Sequence, residues 1–373
     1  MGLEFIEGNE AIARAALKAG CSFFAGYPIT PASTILQHMI EMLPSKGGIA
    51  VQAEDEIASI GFCIGASMAG ARAMTATSGP GISLYSENIG LAMIGETPLV
   101  IVNVQRQGPA TGSATKGADG DIGFTRWVTS GGLPVIALCP ATVAEAYALT
   151  LHAFNFAERY RTPVFLLSNK EISMTREAVD LDLVAAPEPI ERKRPQDGAP
   201  ALPHEFDRPE EVPAFVDFGG QHVTRFTTST HDKNAVLTAD PEVTQEMIDH
   251  YIAKIEAAAD DLALFRHDPQ AGAETLVISY GVTSRATGIA VRDARSRGAK
   301  VSSLVLQTLY PVPEKAIRNA MQGMRRIVVP EMNMGQYRFE IERLAPRDAE
   351  VIGVNRMDTT LLSPAEILEG ALA

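Results

Sequence analysis

The sequence has 373 residues, 46% hydrophobic and 21% charged, with a formal net charge of −13. That length suits two domains and a large core that folds without disulfides or metals, and the composition excludes global disorder. The acidic balance opposes nucleic-acid or anionic-membrane binding by bulk charge, and the scattered Cys21, Cys63 and Cys139 form no zinc or iron–sulfur ligand set.

The opening MGLEFIEGNE is acidic and lacks a basic and an apolar region, so it is not read as a signal peptide. Ile6 stands where N-myristoylation needs Ser or Thr. Asn9 is placed to cap a helix running from Glu10 to Lys18, ended by Gly20. Cys21 to Ala25 is a short apolar run leading into Gly26-Tyr27-Pro28, and a second helix is predicted from about Pro31 to Met42. Strand-like runs follow at Ile49–Ala53, Ala73–Thr77, Leu99–Val104, Pro134–Leu138 and Val164–Ser168. Helical patterns lie between them at Glu56–Ala69, Ile82–Ile94 and Val143–Arg159. This alternation predicts a mostly parallel sheet covered on both faces, over residues 1 to about 185.

Residues 186–272 break the pattern. Seven prolines fall between Pro187 and Pro213, which reads as a linker or irregular excursion. A helix with the charge pattern of an exposed surface resumes near Pro241 to Phe265. Five of the seven histidines lie between His204 and His267 at spacings that match no metal motif, so they are read as solvated or locally hydrogen-bonded. Residues 273–373 return to α/β. Strands are predicted at Thr275–Tyr280, Lys300–Leu306 and Arg326–Pro330, and helices at Ser284–Arg297, Glu314–Met321, Gly335–Leu344 and Pro364–Ala371. No run of 18 apolar residues occurs, so no membrane span is expected. Odd, scattered cysteines fit a reducing, cytoplasmic setting.

Four motifs carry chemistry. Thr77-Ser78-Gly79-Pro80-Gly81 joins a strand to a helix and suits an anion through its backbone N–H groups, although a tight βα turn needs the same residues. Gly26-Tyr27-Pro28-Ile29-Thr30-Pro31 presents Thr30 from a stiff loop at a strand's carboxyl end, where α/β folds bind ligands; Pro31 also fits a plain first helical position. Gln52-Ala53-Glu54-Asp55-Glu56 places three carboxylates before a helix that is apolar nearly all round and so reads as buried. Such a carboxylate is either an acid/base candidate or a simple favourable charge at the helix start. Arg106-Gln107-Gly108-Pro109-Ala110-Thr111-Gly112 sets an arginine past a buried strand, with Lys116 in the same loop. This suits recognition of a carboxylate or phosphate, or is a solvated surface loop. Asp119-Gly120-Asp121 is not the Gly-Asp-Gly of a Mg-diphosphate thiamine site, and no Asn-Asn follows it.

Taken together, these motifs resemble the α subunit of 2-oxoacid:ferredoxin oxidoreductases. The resemblance rests on GNEAIARAALKAGCSFFAGYPITPAS, QAEDEIASIGFCIGASMAGARAMTATSGPGISL and PLVIVNVQRQGPATG. It continues through YRTPVFLLSNKEIS, VTRFTTSTHD, TLVISYG and PEMNMGQ. The loop GPATGSATKGADGDI is most like the 2-oxoglutarate enzymes. The resemblance implies a thiamine diphosphate-binding fold of the pyrimidine type over residues 1–185. It implies a transketolase C-terminal-like α/β domain over 273–373, with 186–272 as linker and surface helix.

It further implies an active site shared with a separate β subunit that holds the diphosphate, Mg²⁺ and a [4Fe–4S] cluster, in an (αβ)2 assembly. The reaction implied is oxidative decarboxylation of 2-oxoglutarate with CoA to succinyl-CoA and CO₂, electrons leaving to ferredoxin. By motif position, Glu56 matches the glutamate that hydrogen-bonds N1′ of the aminopyrimidine, with Tyr27, Pro28 and Ile29 beside the cofactor. Thr30 and Arg106 match the pair that holds the substrate 1-carboxylate. The 5-carboxylate needs its own cation, and Lys116 is the only Lys or Arg between Arg106 and Arg126. No metal site is expected on this chain. Alternatives are another 2-oxoacid as substrate, the E1 β chain of a 2-oxoacid dehydrogenase, and a non-catalytic anion- or nucleotide-binding module using Thr77–Gly81.

Overall fold

Fourteen strands are present among the described residues, which in this computed structural model are 2–196 and 201–372. In chain order the first eight are β1 (Glu4–Glu7), β2 (Phe23–Gly26), β3 (Ile49–Gln52), β4 (Ala73–Thr77), β5 (Leu99–Gln105), β6 (Ile136–Leu138), β7 (Pro163–Asn169) and β8 (Arg176–Val179). The remaining six are β9 (Phe265–Asp268), β10 (Thr275–Tyr280), β11 (Val301–Leu306), β12 (Thr308–Tyr310), β13 (Arg326–Glu331) and β14 (Glu350–Asn355).

Seven strands form one sheet in the order β12-β6-β7-β5-β4-β2-β3, parallel except for β12. Its central strands β5 and β7 are buried along their whole length, as expected for parallel strands covered on both faces. The helices Gly8–Lys18, Ser33–Met42 and Val143–Tyr160 share a core on one face. The helices Glu56–Met68 and Gly79–Ile94 share a second core, which continues into the second sheet through Leu276, Ile278 and Leu304. That second sheet has the order β14-β13-β10-β11-β9, with only β9 antiparallel. β1 and β8 pair as a small antiparallel ribbon. No described helix is long and apolar enough to cross a membrane.

Three local expectations change. Asn9 does not cap the first helix. The helix starts at Gly8, straight from β1, and the buried Asn9 amide instead donates to the Pro31 carbonyl at 2.9 Å and to Thr34 Oγ1 at 2.8 Å. The helix Glu56–Met68 is not buried all round. Ile57 is 52% exposed and Phe62 50%, because only one side faces the sheet and the opposite side is apolar too.

The helix near 241 ends at Glu256 and is not simply a surface element, since it buries Met247, His250, Tyr251, Lys254 and Ile255. Of the histidines read as solvated or locally hydrogen-bonded, His204 and His250 are buried and bond a carboxylate distant in sequence. Buried Glu96 accepts from His204 Nδ1 and His250 Nε2, each at 2.8 Å, and from Lys254 Nζ, with Arg161 at 4.0 Å. Burial pushes the Glu96 carboxyl up, but Lys254 and Arg161 outweigh it and hold it well below the usual range. The irregular coil also buries Arg192, Phe206 and Phe215. Of the proline-rich stretch, residues 197–200 lie outside the described residues.

Candidate active site

The predicted residues gather at the carboxyl edge of the seven-stranded sheet. β2 ends at Gly26, and Tyr27, Pro28 and Thr30 follow as an exposed loop with Ile29 half-buried. Asn9 pins this loop from below through Pro31. Arg106 comes directly after β5 and is 6% exposed. Its Nη1 donates to the Thr30 backbone carbonyl at 2.6 Å, so the contact uses Thr30's main chain rather than its hydroxyl. Arg106 Nε is buried with no hydrogen-bond partner among the described residues. Burial pushes the guanidinium down from its ordinary pKa, against the opposing charges of Asp121 and Glu56. Arg106, Asp121 and Glu56 therefore share one electrostatic neighbourhood.

Glu56 opens its helix. Asp55 stands before it as the cap and accepts from the Ala58 N–H at 2.7 Å. The Glu56 side chain turns inward, 7% exposed, and no hydrogen bond reaches its carboxylate among the described residues. Gly81 lies directly against it. A Cβ there would come 2.0 Å from Thr77 Oγ1 and 2.8 Å from Glu56 Cγ, so only glycine leaves this space open.

The Thr77–Gly81 turn starts the helix Gly79–Ile94, and it lies against two of the chain's own carboxylates, Glu56 and Asp121. Asp121 is the residue that sequence reasoning missed. It was visible only as part of a loose Asp-Gly-Asp. In the fold, its Oδ2 accepts from Asn103 Nδ2 at 2.9 Å, and its N–H donates to Gln105 Oε1 at 3.1 Å. Burial raises its pKa, against Asn103 and Arg106.

Beyond Arg106 the loop turns back on itself. Gln107 N–H donates to the Lys116 carbonyl at 2.9 Å and Ser113 N–H to the Gln107 carbonyl at 2.9 Å. This brings the main chain of Lys116 beside the residue that follows Arg106, while its side chain is exposed. The structure thus bonds Arg106 to the Thr30 loop, sets Glu56 within electrostatic reach of Arg106 at the same sheet edge, and leaves the Lys116 side chain exposed. Further along, buried Asp119 accepts from Asn169 Nδ2 at 2.8 Å, and desolvation raises its carboxyl to about 7.

Residues 14–249 match the family model described as pyruvate flavodoxin/ferredoxin oxidoreductase, thiamine diphosphate-binding, and residues 273–367 match pyruvate:ferredoxin oxidoreductase core domain II. The chain belongs to the 2-oxoacid:ferredoxin oxidoreductase family. It is 41% identical to the 2-oxoglutarate synthase subunit KorA of Methanocaldococcus jannaschii over 373 residues, covering 100% of both chains. The 2-oxoglutarate:ferredoxin oxidoreductase from Magnetococcus marinus, solved with 2-oxoglutarate, coenzyme A and succinyl-CoA bound, superposes with a TM-score of 0.92 at 28% identity. That match covers 98% of this chain and 64% of the other. A split-gene transketolase, an inactive β4 tetramer, superposes with a TM-score of 0.57 at 12% identity, covering 99% of this chain and 98% of that one, which speaks to fold alone. The family's α/β thiamine diphosphate-binding fold, followed by a transketolase-like domain, is the architecture of this oxidoreductase chain.

Proposed function

We propose that this chain is the α subunit of a 2-oxoglutarate:ferredoxin oxidoreductase that works with a separate β subunit. The reaction is CoA-dependent oxidative decarboxylation of 2-oxoglutarate to succinyl-CoA and CO₂, with electrons passing to ferredoxin. The observation that carries this reading is the meeting of Arg106, the Thr30 loop and Glu56 at one sheet edge, in a chain with full-length similarity to a 2-oxoglutarate synthase subunit.

The residues present fit thiamine diphosphate. Glu56 offers an inward carboxylate without a hydrogen-bond partner, under a glycine that keeps the adjoining space free. Bound there, the cofactor would supply the nucleophilic carbon and the electron sink that 2-oxoacid decarboxylation needs. Glu56 holds and moves a proton at N1′ of the aminopyrimidine. Tyr27, Pro28 and Ile29 border the ring. Arg106 is anchored through Nη1, which leaves Nε and Nη2 as a side-on fork for the substrate 1-carboxylate. The Thr30 hydroxyl adds a donor on the same loop. Lys116, whose exposed side chain lies on the same folded-back loop, is the cation we assign to the 5-carboxylate.

Mg²⁺, the diphosphate site and a [4Fe–4S] cluster belong to the β subunit in an (αβ)2 assembly in the cytoplasm. The exposed apolar Ile57 and Phe62, on the helix that begins with Glu56, together with exposed Tyr27 and Leu84, fit coverage by that subunit. The domain division is 1–185, 186–272 and 273–373; β9 of the middle stretch joins the second sheet, and β12 of the last stretch joins the first. The test is co-purification with the native partner, followed by a panel of 2-oxoacids with CoA and a viologen acceptor. The expected result is CoA-dependent turnover with 2-oxoglutarate preferred, and iron and acid-labile sulfide in the complex. A complex without iron that transfers to lipoamide would make the chain an E1 β subunit instead.

A further inference from the structure

The PEMNMGQ segment after β13 has no part in the reading above, yet it grips the catalytic edge. Pro330 and Glu331 end the strand, and Asn333 is fully buried. Asn333 Oδ1 accepts from the N–H groups of Gly335 and Gln336, at 2.8 and 2.9 Å, and so shapes the turn that projects Gln336. Asn333 Nδ2 donates to the Asp119 carbonyl at 2.8 Å and to Tyr280 Oη at 2.9 Å. The Asp119 N–H donates to the Met332 carbonyl at 3.0 Å. Gln336 then uses both ends of its amide: Nε2 donates to the Gly120 carbonyl at 2.7 Å, and Oε1 accepts from the Gly123 N–H at 2.8 Å.

Those two bonds bracket Asp121. The same short stretch is held on its other side by Asn103 and Gln105, from the last strand before Arg106. Asp121 is thus fixed between the two sheets, within electrostatic reach of Arg106. Only a side chain with a donor and an acceptor can satisfy Gly120 and Gly123 at once.

We propose that Gln336, supported by Asn333, is a positioning residue for the substrate-carboxylate site: it clamps residues 120–123, whose Asp121 bonds Asn103 and Gln105 at the end of β5, and so steadies the strand end that presents Arg106. The inference rests on the reading of Arg106 as the carboxylate ligand. Glutamate at 336 keeps the shape but loses the donor and sets a negative charge against the Gly120 carbonyl.

The test uses the assembled enzyme with its β subunit. Gln336→Glu should lower kcat/KM for 2-oxoglutarate by roughly five- to 100-fold, the worth of two net hydrogen bonds. Gln336→Met, which removes both bonds without adding charge, should fall in the same direction and covers the case in which the glutamate variant fails to fold. Amide hydrogen exchange should quicken at residues 120–126 and not in β10 or β11. Combined with Arg106→Lys, Gln336→Met should cost little beyond Arg106→Lys alone, because both act through one group. Additive losses, or faster exchange throughout the second sheet, would overturn the proposal and leave Gln336 a stabilising residue only. Activity of Arg106→Lys within a factor of three of wild type would instead overturn the carboxylate reading on which the clamp depends.

Discussion

Arg106 and Thr30 stand 76 residues apart and meet through one bond, from the guanidinium Nη1 to the backbone carbonyl, at 2.6 Å. The bond spends one nitrogen on the loop, does not use the Thr30 hydroxyl, and leaves Arg106 Nε buried with no hydrogen-bond partner among the described residues. The pairing therefore orients the arginine without consuming the face that a planar carboxylate needs.

Arg106→Lys should lose most activity although the charge is retained. Lysine can reach the Thr30 carbonyl or a substrate carboxylate, but it cannot present a planar fork to one while bonding the other. A substrate carboxylate left badly paired in a desolvated site costs about 2–5 kcal/mol, or roughly 30- to 4000-fold in kcat/KM. Steady-state kinetics on 2-oxoglutarate check this, and a loss under threefold would reduce Arg106 to a loop brace.

Glu56→Gln should preserve the fold and subunit pairing while nearly abolishing turnover. The amide fills the same space under Gly81 but cannot take up a proton. Deuterium exchange at thiamine C2, measured in the assembled complex without substrate, should slow in parallel. Exchange at the wild-type rate would remove Glu56 from the proton path.

Replacing Lys116 by Met keeps the length and removes the charge. Since the side chain is exposed, stability should not change. kcat/KM for 2-oxoglutarate should fall by roughly 1.5–3 kcal/mol, the usual worth of a charged hydrogen bond, while activity on 2-oxobutyrate holds or rises. Equal loss on both substrates would point to a structural role, and no loss on either would assign distal-carboxylate recognition to the β subunit.

The Glu96 cluster predicts acid sensitivity. Burial lowers His204 from its ordinary 6.5 to about 4, against the pull of Glu96. The unfolded chain then binds a proton below pH 6.5 that the folded chain refuses until pH 4, so stability falls across that window. Glu96 is held well below its ordinary 4.5, so its contribution is present above pH 4.5 and is lost as pH falls further. Urea midpoints measured from pH 8 to pH 4 should decline from pH 6.5 downward. Glu96→Ala should cost about 3–5 kcal/mol at pH 7, because it strands Lys254 and Arg161 without a counter-charge. A midpoint unchanged by that substitution would show that the coil and helix at 201–256 dock by apolar contacts alone.

The sequence by itself determined what local chain chemistry controls. Apolar runs of strand length alternating with helical periodicity were enough for the parallel sheet. The rigid YPITP loop and the arginine after β5 were enough to place Thr30 and Arg106 at its carboxyl edge. Strand and helix ends shift by a few residues, and β1, β8, β9, β12 and β14 are absent from the sequence reading: β1, β8, β9 and β12 span only three or four residues each, and β14 is a half-buried edge strand whose Val351, Ile352 and Val354 show no clear alternation. Tertiary structure alone decided the rest. Asn9 looks the same in sequence whether it caps its own helix or bonds Pro31 across the core. His204 and His250 read as solvated or locally hydrogen-bonded until Glu96 arrives beside them, 108 and 154 residues away in sequence. Asp121 gains its place only when Gln336, more than 200 residues later, bonds the glycines on either side of it. Periodicity records which face of an element is buried. It does not record which distant amide or carboxylate will satisfy a single buried polar group, because that choice depends on how two separately formed sheets come together.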